Sequence, residues 1–547
     1  EISACLVGSE MCIRDSYYMS SYDPSSMEYK ITRIGDEQST ALTNDGSRNG
    51  DRKMYFQAIL DYNRIFKEVH DLNIMFLYNQ EQYDINGPTT LFSSLPQRKQ
   101  GVAGRVSYSY DGRYYIEGNF GYNGSENFAK GHRFGFFPSI AVGYNISNEK
   151  FWQPIKPVIS NLKIRGSWGL VGNDATNAGR FAYMEDLVLG GSDSYTTGIR
   201  QDTYYSGPSW NRYFNPDLTW EVGEKINLGL DLQLFNDFNL TFDIFREKRR
   251  DIFMTRENSI PEIVGTGETK ITSNNGEMEN KGLDLAIDYN KQITKDFFLS
   301  FKSTLTFARN KVLKMDEPPY FEYPGLSDVG HPLGTYWGYV ADGLFPDQET
   351  IDNSPRQDLG YTPQPGDIKY VNQPNAKGEY DNVINSNDRV AIGHPYDPEL
   401  VYGFGPSMKW KNWDFSFFFQ GVARTSFMMY GMHPFGTTSI KNMLQFVADD
   451  HWSVDNPNPN AAYPRLTKDS NGNNDQYSTY WLRNAAFLKL KNAEIGYTYK
   501  GMRFYLSGVN LLTFSPFKHW DPEMGGGNGL YYPTQRVFNI GFQMTIQ

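Results

Sequence analysis

The sequence has no apolar run approaching twenty residues, and its mean hydropathy is -0.57. These features exclude a protein that crosses a membrane with α-helices. A membrane β-barrel stays open, because its strands need only about ten residues that are apolar on one face. An excess of basic residues is also lacking: 52 Lys and Arg stand against 63 Asp and Glu, for a net charge of -11. A nucleic-acid partner is therefore not expected, since phosphate binding requires a basic face.

Cysteine is almost absent, with only Cys5 and Cys12 in 547 residues. The two could form a disulfide, but both lie in residues 1–16, which match nothing in the pattern that follows. We interpret residues 1–16 as a non-native segment produced by sequence assembly and leave them out of the fold. They also lack the start methionine, basic region and long apolar stretch of a signal peptide. We therefore expect the natural N-terminus to be missing.

Aromatic residues and glycine are abundant instead, and apolar residues alternate with polar ones. The 38 Tyr, 37 Phe and 51 Gly are typical of strands and turns. In the last stretch Phe538, Ile540 and Phe542 share one parity, which is the period of a strand with unlike faces. This alternation predicts about fifteen strands. They are expected at residues 56–62, 72–78, 102–110, 114–122, 140–146, 162–168, 226–234, 240–244, 283–289, 297–307, 402–410 and 413–419, with three more within 485–547.

The connections between the predicted strands alternate between short and long. Tight turns on one side of an up-and-down sheet and long loops on the other are how outer-membrane barrels are built. The sequence therefore predicts an all-β fold, an antiparallel up-and-down transmembrane β-barrel. Short connections are expected near residues 65–70, 111–113, 147–160, 236–238, 291–296, 411–412 and 500–501. Long ones are expected at residues 81–100, 171–219, 246–281, 311–400, 421–484 and 513–535.

A string of soluble β-sandwich domains is the alternative, because there too each strand has one apolar face. Such domains of about 100 residues would show linkers and a repeating loop pattern, and the sequence has neither. Aromatic residues also cluster near strand ends, where the rings of a membrane barrel lie at the level of the lipid headgroups. These clusters are Tyr108/Tyr110, Phe151/Trp152, Trp410/Trp413 and Tyr497/Tyr499. They favour the barrel over a soluble or surface-attached glycan-binding protein.

Several short motifs stand out in the second half of the sequence, among them the run WLRNAAFLKLKN at 481–492, followed by Gly496 and Tyr497. This run is similar to a C-terminal signature of SusC/RagA-type TonB-dependent transporters. Other similar segments are FPSI at 137–140, LKIRGS at 162–167, PGDIKY at 365–370, LSGVNL at 506–511 and DPE at 521–523. Each match is short, but together they lie in register from about residue 130 to the end of the sequence.

This resemblance implies a plugged barrel of about 22 strands in the outer membrane of a Gram-negative bacterium, in contact with outer-membrane lipid. It implies the import of glycan or peptide fragments. A SusD-like surface lipoprotein is the implied partner on the outside, and the TonB-ExbB-ExbD complex is the implied source of energy through the N-terminal part.

The sequence departs from the family in two ways. Residues 17–547 resemble only the C-terminal part of the barrel, about 15 of about 22 strands, so we expect the plug, the TonB box and the early strands to be missing from this sequence. The last residue is Gln547, where outer-membrane proteins usually end in an aromatic residue. A passive porin is a further alternative, because it would differ from an energised importer by an open lumen without a plug. We expect the isolated fragment to be unstable unless its missing strands are supplied.

Catalytic and metal-binding motifs are not found in the sequence. The seven histidines are scattered without metal-ligand spacing, and no Gly-x-Ser-x-Gly nucleophile motif occurs. Residues 372–388 lie where some family members carry an Asp/Asn/Gly-rich loop that suggests calcium, but they contain few carboxylates and one lysine, Lys377. The sequence therefore predicts neither an enzyme nor a cofactor or metal site.

Two aromatic clusters in the long loops are the candidate ligand-binding residues. Flat rings stack on sugar faces or pack against a peptide, while polar groups fix the orientation. The alternative is that these rings pack the loops onto each other or onto a partner. The candidates are Tyr204, Tyr205, Trp210 and Tyr213, beside Phe214, and Tyr320, Tyr323, Tyr336 and Trp337, beside Phe321 and Tyr339. Loops this long are unusual without a partner, so we expect residues 311–400 and 421–484 to contribute much of the lipoprotein contact.

Charged residues on the polar parity of the strands are expected to face the lumen, since charge facing lipid costs a few kcal/mol. They could line the substrate path, or they could hold the plug and water. These residues are Arg105, Glu117, Lys163, Arg165, Asp231, Asp243, Asp284 and Asp288. The sequence does not distinguish a glycan from a peptide substrate.

Overall fold

The structure is a computed structural model of the chain. It describes residues 17–23, 25–34, 50–88, 90–175, 179–190, 194–256, 258–264, 271–431, 435–436, 439–440, 444–467 and 471–544. Residues 1–16, for which we predicted a non-native origin, lie outside the described residues.

Strands make up most of the described chain. The first sixteen are β1 (Tyr17–Asp23), β2 (Glu28–Ile34), β3 (Gly50–Phe66), β4 (His70–Asn86), β5 (Gln97–Tyr110), β6 (Tyr114–Ser125), β7 (Phe134–Asn145), β8 (Ile159–Asn173), β9 (Asp186–Val188), β10 (Ser194–Thr197), β11 (Thr203–Ser206), β12 (Ser209–Arg212), β13 (Glu221–Leu234), β14 (Phe238–Thr255), β15 (Thr272–Thr294) and β16 (Phe297–Lys314). The others are β17 (Tyr336–Gly338), β18 (Ala341–Leu344), β19 (Arg356–Gln357), β20 (Ile368–Tyr370), β21 (Val383–Ile384), β22 (Val390–Ile392), β23 (Leu400–Trp410), β24 (Trp413–Ala423), β25 (Ser426–Met428), β26 (Phe435–Gly436), β27 (Ser439–Ile440), β28 (Leu482–Asn484), β29 (Phe487–Tyr499), β30 (Met502–Phe514) and β31 (Val537–Met544).

Helices are few and short. They are α1 (Leu91–Ser94), α2 (Gln348–Asp352) and α3 (Gln445–Asp449), with 3-10 turns at Ile146–Asn148, Lys150–Trp152, Glu262–Val264, Pro324–Leu326, Ser386–Asp388 and Pro522–Met524. In the part of the chain that the structure describes, none of the helices has the length and apolar character needed to span a membrane.

One antiparallel sheet of 15 strands organises the fold. Its order is β3-β4-β5-β6-β7-β8-β13-β14-β15-β16-β23-β24-β29-β30-β31, so that consecutive sheet strands follow one another along the chain. This arrangement confirms the prediction of about fifteen strands in an up-and-down sheet. The observed strands are longer than predicted at several ends, because the pairing continues past the apolar residues that mark the pattern. β3, for example, begins at Gly50, whereas the pattern begins at Phe56.

The connections alternate as predicted. The short ones are residues 67–69, 111–113, 146–158, 235–237, 295–296, 411–412 and 500–501. On the other side, residues 126–133 form a modest loop that the pattern did not identify. Four longer loops on that side are named here: loop A (174–220), loop B (315–399), loop C (424–486) and loop D (515–536).

The register of the sheet places apolar and polar residues in separate rows. One apolar row runs across neighbouring strands through Tyr144, Ile164, Leu230, Phe242, Leu285, Leu305 and Tyr402. The next row, on the opposite face, contains Lys163, Asp231, Thr241, Ala286, Thr304 and Gly403. The apolar face continues to the last strand, where Ile540 is 90% exposed. An apolar face this extensive is far larger than the patches that water-soluble monomers expose.

The long loops fold onto one another. Loops B, C and D share a hydrophobic core that includes Ile368, Tyr370, Met428, Tyr463 and Phe517, here called the loop core. A smaller cluster fixes the base of loop A. It comprises Phe128, Ala182, Leu218, Trp220 and Phe253.

The chain divides into two compact units. The first comprises Glu1–Lys53 and Tyr83–Pro96, and in its described part β1 and β2 form an antiparallel pair. The second comprises Met54–Gln82 and Gln97–Gln547, and it contains loops A to D.

Candidate functional site

A buried carboxylate joins loop B to loop C. Asp367 has no solvent exposure, and its Oδ1 accepts hydrogen bonds from Arg465 Nε at 2.7 Å, Asn474 Nδ2 at 2.8 Å and Asn471 Nδ2 at 3.0 Å. Its Oδ2 accepts the backbone N–H of Gln364 at 2.8 Å. The carboxylate is therefore fully used within the protein, as a buried charge must be to persist. The PGDIKY motif of the sequence is thus a structural connection between two loops.

A second buried charge fixes loop D to the sheet. Lys489 on β29 has no solvent exposure, and its Nζ lies 2.7 Å from Asp521 Oδ2 and 2.5 Å from Glu523 Oε2. Thr534 donates a further hydrogen bond to Asp521. Loop D is therefore tied at both its beginning and its end, with residues 525–532 between the two ties.

A cavity of about 500 Å³ lies where loops B, C and D meet. Its apolar floor includes Phe427, Met428 and Met524. Among the described residues that line it, none carries a charge. Five tyrosines surround it: Tyr336, Tyr396, Tyr430, Tyr477 and Tyr531. We call this cavity the tyrosine cavity. A concave apolar surface with a few converging polar groups is the usual form of a small-molecule site.

The tyrosine hydroxyls are neutral hydrogen-bonding groups. Burial raises the pKa of Tyr336, and a hydrogen bond with Tyr531 raises the pKa of Tyr430. Tyr430 and Tyr531 remain 51% and 57% exposed, so their rings are accessible to a ligand. The cavity therefore offers aromatic faces and hydroxyl groups without formal charge, which suits an uncharged polar ligand surface.

Glycine in loop D allows the close approach that shapes this cavity. Gly527 bridges Met429 of loop C, and a Cβ added at Gly526 would overlap the carbonyl oxygen of Met428. Gly525 has φ +78°, in the left-handed region that favours glycine. The glycine run after the DPE motif therefore brings the two loops into backbone contact.

The structure separates the predicted ligand residues of loop B. Tyr336 lines the tyrosine cavity. Trp337 instead donates a hydrogen bond from Nε1 to Asp328 at 2.6 Å and packs within its own loop. Tyr339 is 3% exposed and packs in the loop core. Tyr320 and Tyr323 are half-buried and do not line the cavity.

The predicted ligand residues of loop A include two stacked ring pairs and are largely exposed. Tyr205 on β11 stacks on Tyr195 of β10, with ring centroids 5.2 Å apart, and Trp210 stacks on Tyr213 at 5.5 Å. Tyr204 is 64% exposed and Phe214 is 58% exposed. The rings are held by one another on the surface of the loop, so a ligand role for them stays a prediction.

Sequence reasoning missed four of the five tyrosines in the cavity: Tyr396, Tyr430, Tyr477 and Tyr531. They are distant in the sequence and belong to three different loops. The one available signal was the run Gly525, Gly526 and Gly527, which follows the recognised motif at 521–523 and indicates a close backbone approach.

In residues 372–388, the segment considered for calcium, the buried carboxylate of Asp388 accepts hydrogen bonds from the backbone. Asp388 Oδ1 accepts the N–H of Gln373 at 2.7 Å, and its Oδ2 accepts that of Asn385 at 2.8 Å. Burial raises the pKa of Asp388. Within the described ranges, no group of three His, Cys, Asp or Glu side chains is arranged to hold a metal ion.

Charged residues of the polar face pair with one another. Arg165 on β8 donates to Asp243 Oδ2 at 2.6 Å and to Asp231 Oδ2 at 3.2 Å, across three neighbouring strands. Thr306 donates to Asp284 at 2.6 Å. Several of the residues expected on the lumenal side thus form a network along the sheet, which fixes their positions.

Comparison with known proteins agrees with this architecture. The family model described as TonB dependent receptor-like, beta-barrel matches residues 13–511. TonB-dependent receptor P3 of Formosa agariphila is 27% identical over 478 residues, which cover 81% of this chain and 45% of the relative. TonB-dependent receptor SusC of Bacteroides thetaiotaomicron is 29% identical over 468 residues, covering 81% of this chain and 43% of the relative. The chain therefore spans about half the length of the curated relatives it matches.

Among solved structures, the RagAB peptide importer in its closed-closed state superposes with a TM-score of 0.69. The identity is 21%, and the match covers 91% of this chain and 56% of that chain. This likeness shows the fold. The sequence similarity to SusC agrees with the resemblance to SusC/RagA-type proteins that the motifs indicated.

Proposed function

Because the chain belongs to the TonB-dependent receptor-like β-barrel family, whose members are outer-membrane proteins of Gram-negative bacteria, we propose that it forms barrel wall and outer loops of an energised importer. The apolar face of its sheet then contacts lipid, and the polar face lines the lumen. Its long loops are extracellular and its short connections periplasmic. Family membership favours energised import over a passive porin.

The tyrosine cavity is the observation that supports a substrate-binding site in this importer. It lies on the long-loop side of the sheet, where an incoming solute arrives first. Its rings and hydroxyl groups suit glycan or peptide fragments, whose surfaces are mostly uncharged and rich in hydrogen-bonding groups. Tyr430 and Tyr531, the most accessible hydrogen-bonded pair, act as the capture residues.

Uptake measurements on two matched double variants test this role. Cells carrying Tyr430→Ala with Tyr531→Ala are compared with cells carrying Tyr204→Ala with Tyr205→Ala, which alter the exposed rings of loop A. The probes are a set of short neutral oligosaccharides and a set of short peptides. Each lost ring costs roughly 1 kcal/mol of stacking and hydrogen bonding, so uptake at limiting substrate should fall about tenfold or more for the cavity variant.

If the tyrosine cavity is the capture site, the loop A variant should import at the unmodified rate. A loss confined to the loop A variant would move the capture site to Tyr204 and Tyr205. Unchanged uptake in both variants would remove the substrate role of both clusters. Equal amounts of each variant in the outer membrane must be verified by immunoblot.

We further propose that a SusD-like lipoprotein docks on loops B and C. The RagAB importer, which shares this fold, is a two-component assembly by its name. Loops B and C present the exposed apolar residues Phe321, Tyr380 and Val454, which are 84%, 60% and 84% exposed. Deleting a whole loop would destroy the shared loop core, so surface substitutions are the sharper test. Phe321→Ser with Val454→Ser should reduce co-purification of the lipoprotein, whereas Ile263→Ser, at an exposed site outside loops B and C, should not.

A further inference from the structure

A row of three basic side chains lies at the border of the apolar face, on the side of the long loops. Arg246, Lys281 and Arg309 are paired in register on β14, β15 and β16. On each of these strands, the residue two positions nearer the short connection is apolar and lies on the same face. These residues are Ile244, Leu283 and Phe307, which also pair in register. The basic residues therefore lie directly beyond the last apolar residues of this face, on the side of the long loops.

A groove of about 590 Å³ spans this border. Leu283 and Phe307 form its apolar part, and Lys281, Arg309 and Lys311 form its basic part. Gly330 and Pro332 of loop B bound it on the outer side. The described residues that line the groove include one carboxylate, Glu279, against these three cations. This local excess of positive charge contrasts with the chain, whose net charge is -11.

Internal ion pairs orient the basic side chains and leave them accessible. Glu279 lies 2.6 Å from Arg246 Nε and 2.7 Å from Lys281 Nζ, and Arg309 Nε lies 3.1 Å from Glu399. The side chains of Arg246, Lys281 and Arg309 nevertheless remain 51%, 60% and 58% exposed. A guanidinium or ammonium group that is paired with one carboxylate but still exposed can bind a second anion, because it carries several N–H donors.

We infer that this groove binds a phosphorylated lipid of the outer leaflet. The acyl chains lie on Leu283 and Phe307, and the phosphate contacts Lys281, Arg309 and Lys311. Phosphate is the headgroup chemistry that arginine and lysine bind best, and the groove provides the apolar contact that a free anion would not use. The inference rests on the membrane placement in the proposed function, but it requires neither substrate transport nor a lipoprotein partner.

Native mass spectrometry of the full chain in a nonionic detergent tests the inference. The probes are phosphatidic acid and phosphatidylcholine with the same acyl chains, each added at the same ratio to protein. The unmodified protein should retain phosphatidic acid in preference to phosphatidylcholine. Lys281→Gln with Arg309→Gln should lower this preference about tenfold. Each cation near an anionic lipid contributes about a factor of five to binding, and the ion pairs that Lys281 and Arg309 already make within the protein reduce the combined effect.

The matched control is Lys156→Gln with Lys500→Gln. It removes the same charge from exposed lysines in the short connections, and it should keep the preference. Equal loss in both variants would reduce the effect to net charge and overturn the inference, as would equal retention of the two lipids by the unmodified protein. Added inorganic phosphate should not displace the lipid; full displacement would assign the groove to free phosphate. Substrate uptake by the Lys281/Arg309 variant should stay unchanged, which separates this result from a failure of the proposed importer function.

Discussion

Lys489 is the buried cation on which the position of loop D depends. Its side chain is fully buried, whereas its partners Asp521 and Glu523 keep 20% and 22% of their side-chain surface. Lys489→Met preserves the shape of the side chain but removes the buried cation that Asp521 and Glu523 share, so that Glu523 keeps only its pair with the partly exposed Lys491. We expect loop D to lose about 3 kcal/mol of local stability, the lower end for a broken buried pair, because both carboxylates keep some access to water. Hydrogen exchange of the backbone amides of residues 523–527 should accelerate about a hundredfold, which measures the loss.

Lys491 provides the control at the residue scale. It lies on the same strand and pairs with the same Glu523 at 3.1 Å, but its side chain is 28% exposed. Lys491→Met should change exchange in loop D only slightly, since exposed pairs contribute little. Similar acceleration of exchange in both variants would mean that the stability of loop D depends on the number of cations near Glu523 and not on the burial of Lys489.

At the scale of elements, Asp367 joins loop B to loop C. Asp367→Ala would leave Arg465, whose side chain is 16% exposed, and two buried asparagine amides without their acceptor. We expect a local loss of about 3 to 5 kcal/mol and rapid proteolytic cleavage within both loops. Asp358→Ala is the control, because the side chain of Asp358 is 61% exposed and its ion-pair partner Arg356 is also exposed. Protease resistance of loop C in the Asp367 variant would show that the apolar loop core suffices to hold the two loops together.

The strands of the sheet could be predicted from the sequence, whereas the contacts inside the long loops could not. Alternation of apolar and polar residues is a local signal, so β31 and its pairing partners could be predicted strand by strand. The contact of Asp367 with Asn474 spans 107 residues, and no local pattern encodes it. Tyr430 and Tyr531 of the cavity come from two loops that are brought together by the loop core and by the glycine contacts of loop D. Tyr336 and Trp337 are adjacent on β17, and adjacent residues of a strand point to opposite faces, so Tyr336 lines the cavity whereas Trp337 bonds to Asp328 within loop B. The ligand role predicted for Trp337 stays a prediction.

Across the whole molecule, membrane placement depends on which face of the sheet carries charge. Leu305 lies in the apolar row between Leu285 and Tyr402, while its neighbour Thr304 faces the polar side. An arginine at either position adds the same charge and the same side chain, so the main difference between the two variants is the face that receives it. Leu305→Arg should cost about 2 to 4 kcal/mol if that face meets lipid, whereas Thr304→Arg should be nearly neutral in a wet lumen.

The measurement is the urea midpoint of each variant in lipid vesicles, with heat-dependent gel mobility as the test of folding. If the apolar row faces lipid, only Leu305→Arg should lower the urea midpoint and the amount of folded protein. The arginine then loses its hydration in the hydrocarbon, which costs free energy of folding. If both faces met water, as in a soluble sheet protein, Leu305→Arg would fold without lipid and the two midpoints would coincide. The order of the two costs would reverse if the polar row faced the membrane. The pair of variants therefore tests the orientation of the sheet, on which the lumenal role of Arg165 and Asp243 and the lipid groove at Lys281 both depend.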